Sequence, residues 1–362
     1  MKPEKILISP LNWGFGHAGR MIPLALALRE RGHEIVFCAH RDVIPMLTRE
    51  LPGISIIAIP GLHIIYFRKI PLWFCVLLHL PHIIAVSVRE HFALQRLAAE
   101  LHPDIIISDN RFGFYHKDIF SVYVTHMIRI PFPPAFRFLE PAGIWLHRKV
   151  IEKFNLCLIP DFPGDINLSG RLSHGIKLPR NTTWSGPLSR FESSAGNAVA
   201  MNIPYPYRCL VLSGPEPQRS ILKGKVTDAA DDMHLVILEG AGEHNSIAHR
   251  NNVTVVSNPD TRTMKTIISG SAAVICRSGY TTVMELASLH QTAIIIPTPG
   301  QPEQEYLGEH LGKIWGFMTL NQGEIATIKD IKSGPYTEAM PCFPESDKIL
   351  AAALDLLTEK EK

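Results

Sequence analysis

The first forty residues alternate between two hydrophobic periods. Ile6, Leu7 and Ile8 form an apolar β-branched run that stops at Pro10; a loop with Gly14 and Gly16 follows, and apolar spacing resumes through Ala25, Leu26, Ala27 and Leu28. A charged last turn and Gly32, where a left-handed residue is cheapest, end that segment. The pattern predicts strand, loop, helix, strand. It continues with a strand near Ile54 to Ile59, an apolar stretch from Leu72 to Val88, a helix from about Ser87 to Leu101 and a strand at Asp104 to Ser108. Strands at Ser121 to His126 and in "FNLCLIPD", ending at Asp161, complete the first half. After the polar stretch Glu192 to Asn202 the pattern restarts, with strands at Cys209 to Leu212, Leu235 to Glu239, Val253 to Val256, Ala273 to Cys276 and Ala293 to Pro297 and helices between most of them. Alternating strand and helix periods predict parallel sheets covered on both faces, twice over, with ligands at the carboxyl ends of the strands.

Length agrees with two cores, since 362 residues exceed one ordinary domain. The expected division is 1–190, a linker at 191–206, 207–345, and a terminal helix at 346–362. Net charge of +2 hides an asymmetry: Met1 to Arg190 holds 22 Lys and Arg against 14 Asp and Glu, the remainder 14 against 20. Twelve of the 17 histidines also lie in the first part, which should therefore prefer anionic surroundings. Six dispersed cysteines without metal or redox spacing fit a reducing cytosol, and no segment reads as a signal peptide or membrane span. The Leu72 to Val88 stretch is interrupted by His79, Pro81 and His82 and reads as a core helix, with a peripheral membrane contact through Trp73, Phe74, Arg68, Lys69 and Arg89 as the alternative. "IRIPFPPAFRF", Ile128 to Phe138, mixes basic and aromatic residues without helical period and suits a loop near a bound molecule. Basic residues are not arranged in a stripe with aromatics, which argues against nucleic acid.

Candidate chemistry sits at strand ends. Arg277, Ser278 and Gly279 follow a buried strand and precede a helix, where unpaired N–H groups make a ready phosphate site. Tyr280 and Thr281 belong to the same mouth. Glu285, further down that helix, is suited to the two hydroxyls of a ribose, and Gln301, Glu303 and Gln304, at another helix start, to sugar hydroxyls. Each of these also reads as an ordinary cap or surface group. His17, between Gly16 and Gly19 at a helix mouth, can accept a proton; Asp109 and His126, each at a strand end, are further candidates for base or base-orienting partner. No Asp-x-Asp pair occurs, and no cofactor or metal site is expected.

The block from Arg277 to Glu285, with Gln301 to Gln304, resembles the nucleotide-sugar-binding domain of the family 28 (MurG-like) glycosyltransferases, and "GFGHAGR", Gly14 to Arg20, resembles their acceptor-domain loop. "VTHM" around His126 and "SGPLSR" are weaker counterparts. The resemblance implies the α/β GT-B fold, two facing Rossmann-like domains with a cleft between them. It implies an inverting, metal-independent hexosyltransferase that moves a sugar from a nucleotide-sugar donor, a UDP-hexose or UDP-N-acetylhexosamine, to a glycan or lipid-linked acceptor. In that reading His17 is the base, Gly16 and Arg20 line its site, Glu285 holds the ribose, Glu303 and Gln304 the sugar, and Ser278 and Gly279 the phosphates. One loop departs from the family: "SGPEPQRS" loses two N–H donors to Pro215 and Pro217, leaving Ser213, Gly214 and Arg219 as its phosphate ligands. A nucleotide-sugar hydrolase with the same histidine on water, an epimerase and a non-catalytic nucleotide-sugar sensor are the alternatives. The expected location is cytoplasmic, peripheral on the inner face of the membrane.

Overall fold

The computed structural model describes residues 3–61, 72–192, 203–240, 246–331 and 345–358. Arg68 and Lys69, and most of the expected linker, lie outside them. The first half runs β1 (Lys5–Pro10), α1 (Phe15–Glu30), β2 (Glu34–Ala39), α2 (Ile44–Glu50), β3 (Ser55–Ala58), α3 (Leu72–Leu78), α4 (Leu80–Leu101), β4 (Ile105–Asp109), β5 (Phe120–Val124), α5 (Glu140–Ile151), β6 (Leu156–Ile159) and β7 (Thr182–Trp184). Its strands form one parallel sheet in the order β3-β2-β1-β4-β5-β6-β7. The second half runs β8 (Tyr207–Leu212), α6 (Gln218–Asp228), β9 (His234–Glu239), β10 (Ser246–Arg250), β11 (Val253–Ser257), α7 (Thr261–Ser269), β12 (Ala273–Cys276), α8 (Tyr280–Ser288), β13 (Ile294–Ile295), α9 (Pro302–Ile314), β14 (Met318–Thr319) and, at the end of the chain, α10 (Ser346–Thr358). Its sheet is ordered β10-β11-β9-β8-β12-β13-β14, parallel except for the β10 edge.

The near-continuous apolar strands are buried on both faces, as a parallel sheet requires: every residue of β4 and β8 is buried. Two glycines shape the entry to α1. Gly14 takes φ +81°, which a side chain would strain, and turns the chain into the helix. Gly16 lets α1 close on α8: a Cβ there would meet Thr281 Oγ1 at 3.0 Å. The two halves thus touch through the helices that follow the two central strands.

The apolar stretch departs from the core reading. Pro81 sits in the first turn of α4, where its missing N–H costs nothing, so the helix starts earlier than Ser87. Only Glu90, Leu94 and Ala98 of α4 are buried, while Leu80, Ile84, Val88 and Phe92, spaced four apart on one stripe, are 47 to 62% exposed. Hydrophobicity alone predicted burial, yet the sheet face has room only for the C-terminal half of the helix.

The terminal helix α10 returns to the first half. Ala353, Leu354 and Leu357 join the core built by α1, β1 and β2, and Asp355 meets Arg31 at 2.8 Å. Leu357 is fully buried there. Leu357→Ala is expected to cost about 2–4 kcal/mol in urea unfolding, the penalty of a cavity in a packed core; an unchanged midpoint would mean that α10 does not hold.

Candidate functional site

The site forms where the carboxyl ends of adjacent strands β1 and β4 face the second half. His17 lies in the first turn of α1, and Asp109 is the last residue of β4; Nδ1 of His17 is 2.9 Å from Oδ2 of Asp109. Arg20, one turn along α1 and 1% exposed, donates through Nε to Asp109 Oδ2 at 3.0 Å and through a terminal nitrogen to Asp109 Oδ1. Its other terminal nitrogen reaches Nδ1 of His126 at 3.1 Å.

These contacts decide where the protons sit. An arginine only donates, so Nδ1 of His126 accepts, and the proton of that neutral ring is on Nε2, which donates to Glu303 Oε1 at 2.9 Å. Burial is the main cause of a lowered His126 pKa; Glu303 opposes it, and Arg20 and His17 add to it. The carboxylate of Asp109 likewise holds a proton on Nδ1 of His17, which leaves Nε2 of the neutral ring as the lone-pair nitrogen. Arg20 Nη2 also lies 3.1 Å from that Nδ1, but its better partner is the carboxylate. The His126 ring stacks on Tyr280, with centroids 4.0 Å apart and planes within 7°, and the Tyr280 hydroxyl donates to the Pro160 carbonyl. His17, Arg20, Asp109 and His126 of the first half therefore meet Tyr280 and Glu303 of the second in one network.

The remaining predicted residues divide. Gly214 and Gly279 lie in the loops after the paired strands β8 and β12, each with open space where a Cβ would stand. Gly279 caps α8 without a side-chain bond, so the first amides of α8 are available to an anion. Ser213 lies beside Gly214, and Thr281 packs on Gly16. Ser278 donates its hydroxyl to the Gln304 carbonyl, and the Gln304 side chain accepts from the Thr298 amide, tying the mouth of α8 to the start of α9, where Gln301 is the cap residue. Arg277 does not turn its guanidinium to the cleft: it is buried, and it donates to the carbonyls of Ile296, Pro297 and Gln218 and to Gln322 Oε1. Burial lowers its pKa to about 10. Arg219 is paired with Glu216, three residues away.

Glu285 is 4% exposed, and its Oε1 accepts from Arg190 Nε at 2.7 Å. Sequence reasoning passed over Arg190, although "SGPLSR" ends on it. It also passed over a second bridge between the halves, in which Arg49 donates to the Asn258 and Pro259 carbonyls and Glu50 accepts from the Thr261 amide. No local signal marks a contact across two hundred residues. Among the described residues, no cluster of His, Cys, Asp and Glu could hold a metal ion.

Beside the network, a concavity of about 480 Å³ opens between the halves, lined by Phe132, Arg137 and Arg171 on one side and Tyr306, His310 and Lys313 on the other. The Trp73 ring lies 5.4 Å from Phe136, and the Trp73 amide donates to the Gly300 carbonyl, so α3, which leads into α4, adjoins this opening. Phe138, Trp145 and Leu146, 60 to 73% exposed, extend the apolar surface. No helix among the described residues is long and apolar enough to cross a membrane.

Burial alone would raise the Asp109 pKa, but Arg20 and His17 outweigh it and hold the carboxyl down at about 2, against the ordinary 3.8. A carboxylate depressed on folding contributes its full stabilisation above the unfolded value and loses it as pH falls through the folded one. Asp109→Asn is expected to cost about 2 kcal/mol at neutral pH and to flatten the stability profile between about pH 4 and pH 2. Thermal melts across that range check this; an unaltered acid limb would contradict it.

Residues 218–328 match the model of the glycosyltransferase family 28 C-terminal domain. No curated protein matches the chain in sequence. Among solved structures, the spinosyn forosaminyltransferase SpnP is similar over 99% of both chains, with a TM-score of 0.60 and 16% identity. The spinosyn rhamnosyltransferase SpnG, complexed with thymidine diphosphate, is similar over 98% of this chain and 92% of its own, with a TM-score of 0.60 and 14% identity. The glycosyltransferase SnogD from Streptomyces nogalater is similar over 99% of both chains, with a TM-score of 0.53 and 16% identity. At such identities the likeness establishes the fold. Two facing Rossmann-like halves with a cleft between them are the GT-B fold, and the match to the family 28 glycosyltransferase C-terminal domain falls within the second of them.

Proposed function

We propose that the chain is an inverting glycosyltransferase that moves a sugar from a nucleotide-sugar donor, a UDP-hexose or UDP-N-acetylhexosamine, to a lipid-linked or glycan acceptor. The observation that carries this reading is the His17–Asp109 pair, whose proton placement leaves Nε2 of His17 as a base at the boundary of the two halves. In the proposed step an acceptor hydroxyl gives its proton to His17 Nε2 as its oxygen attacks the anomeric carbon. The bond from that carbon to the nucleoside diphosphate breaks with inversion, and the diphosphate leaves with the electron pair. Asp109 offsets the charge of the imidazolium. Amides of Gly279 to Thr281 at the start of α8, with the open loop at Ser213 and Gly214, are suited to meet the diphosphate charge. Glu285 is given the ribose, and Glu303 with Gln304 the sugar. Because Arg20 is enclosed and spends its donors on Asp109 and His126, its part is to hold them rather than to bind substrate.

The acceptor is placed in the first half. Its apolar stripe and the Phe136 to Leu146 surface are flanked by exposed Arg89, Arg137 and Lys149, a combination that fits an anionic lipid surface with its apolar groups at the interface. This supports an acceptor delivered from a membrane.

His17→Ala is expected to bind UDP as wild type does and to lose about a hundredfold or more in turnover; unchanged turnover removes His17 from the mechanism. Donor consumption followed by NMR separates the classes. Slow release of free sugar that gives way to transfer when cell lipid or glycan extract is added supports the transferase, and fast saturable release without any acceptor supports a hydrolase. Sedimentation with vesicles of anionic phospholipid is expected to carry the protein down at low salt and less so at high salt, and Trp145→Ser with Phe138→Ser to weaken it. A protein that stays in the supernatant at low ionic strength contradicts the membrane contact.

A further inference from the structure

We propose that Arg190 is a positioning residue of the donor site, supplied by the first half, which presents the Glu285 carboxylate to the ribose. The inference rests on the reading that Glu285 takes the ribose hydroxyls. Three consecutive residues of the chain lie along one face of α8: the Leu188 amide meets Met284 Sδ at 3.4 Å, the Ser189 hydroxyl meets that of Ser288 at 2.7 Å, and Arg190 Nε donates to Glu285 Oε1 at 2.7 Å. The guanidinium is walled in on its other sides. Its Nη2 is 3.1 Å from Met264 Sδ on α7, its carbon is 5.6 Å from the Phe191 ring centroid, and Nε lies 4.0 Å from where a Cβ of Gly19 on α1 would stand. Side-chain exposure is 11% for Arg190 and 6% for Glu285.

A carboxylate so enclosed needs a counter-charge, since an unpaired buried anion is costly. Arg190 supplies it and takes only Oε1. Among the described residues no group bonds Oε2, which leaves that oxygen to accept a hydroxyl. Because Gly19 on the other side of the guanidinium lies between His17 and Arg20, one side chain touches both the ribose carboxylate and the turn of α1 that carries the proposed base.

The test is calorimetric titration of the full chain with UDP and with 2′-deoxy-UDP. Wild type is expected to prefer UDP. Glu285→Gln and Arg190→Met are each expected to lose about tenfold in UDP affinity and little for 2′-deoxy-UDP, which also serves as the control for folding. Arg190→Lys, which keeps the charge, is expected to stay within about threefold of wild type. If Arg190→Met is unfolded, Arg190→Gln takes its place in the same comparison. UDP binding by the neutral variant that equals or exceeds wild type overturns the proposal, because Arg190 is then a bystander or a plug in the ribose site. An Arg190→Lys as impaired as the neutral variant also overturns it. If Glu285→Gln keeps the preference for UDP, the ribose reading itself falls; if only Glu285→Gln loses it, that reading stands and the role of Arg190 is what fails.

Discussion

The enclosed charge pair between Arg20 and Asp109 is what the rest of the site hangs on. Asp109 ends a fully buried strand, so its carboxylate is a fixed point; Arg20 reaches it from one turn inside α1 and gives its remaining terminal nitrogen to His126. Removing the guanidinium would leave the Asp109 carboxylate uncompensated in a place water does not reach, a loss of about 3–5 kcal/mol for such pairs. The pair also determines chemistry, since a donor-only side chain on one histidine and an acceptor-only side chain on the other force opposite protonation patterns on two rings in one cluster. His126 turns a proton outward to Glu303, and His17 turns a lone pair outward.

Contact between the halves has an apolar part, where Phe162, Leu168 and Leu172 enter the core that Tyr280, Leu307 and Trp315 build, and a polar part. His126 on Glu303, Arg190 on Glu285, and Arg49 with Glu50 on the backbone from Asn258 to Thr261 are all hydrogen bonds or ion pairs that a ligand or water can replace. The polar contacts can exchange partners, while the shared apolar core holds the two halves against each other. The contact of Gly16 on Thr281 depends on the absence of a side chain, as does that of Gly170 on Tyr306 and His310, and makes the approach of α1 to α8 a matter of backbone shape.

Much of this was legible in the chain. The two periods of hydrophobicity marked the central strands of both sheets, Gly32 ends α1 at φ +88° as its position suggested, and His17 falls together with Asp109 and His126, more than ninety residues further on, because strand ends of one parallel sheet converge. What was not legible has a common cause. Arg20 reads as a cleft residue because nothing local says it is enclosed, and Arg277 reads as a phosphate ligand although carbonyls of neighbouring loops consume its donors. Arg190 finds its partner 95 positions away. The α4 stripe misled in the other direction: hydrophobic periodicity records which face is apolar but not whether the fold provides anything to cover it.

The return of α10 to the first half changes the kinematics of the cleft. The chain passes between the halves once after Glu192 and again before Glu345, so the second half is held by two covalent tethers rather than hung on one. A body on a single flexible tether can translate, swing and twist, whereas two separate attachments suppress translation and leave rotation about the line that joins them. With its anchor buried among Ala353, Leu354 and Leu357, α10 gives the second half a second point of attachment inside the core of the first.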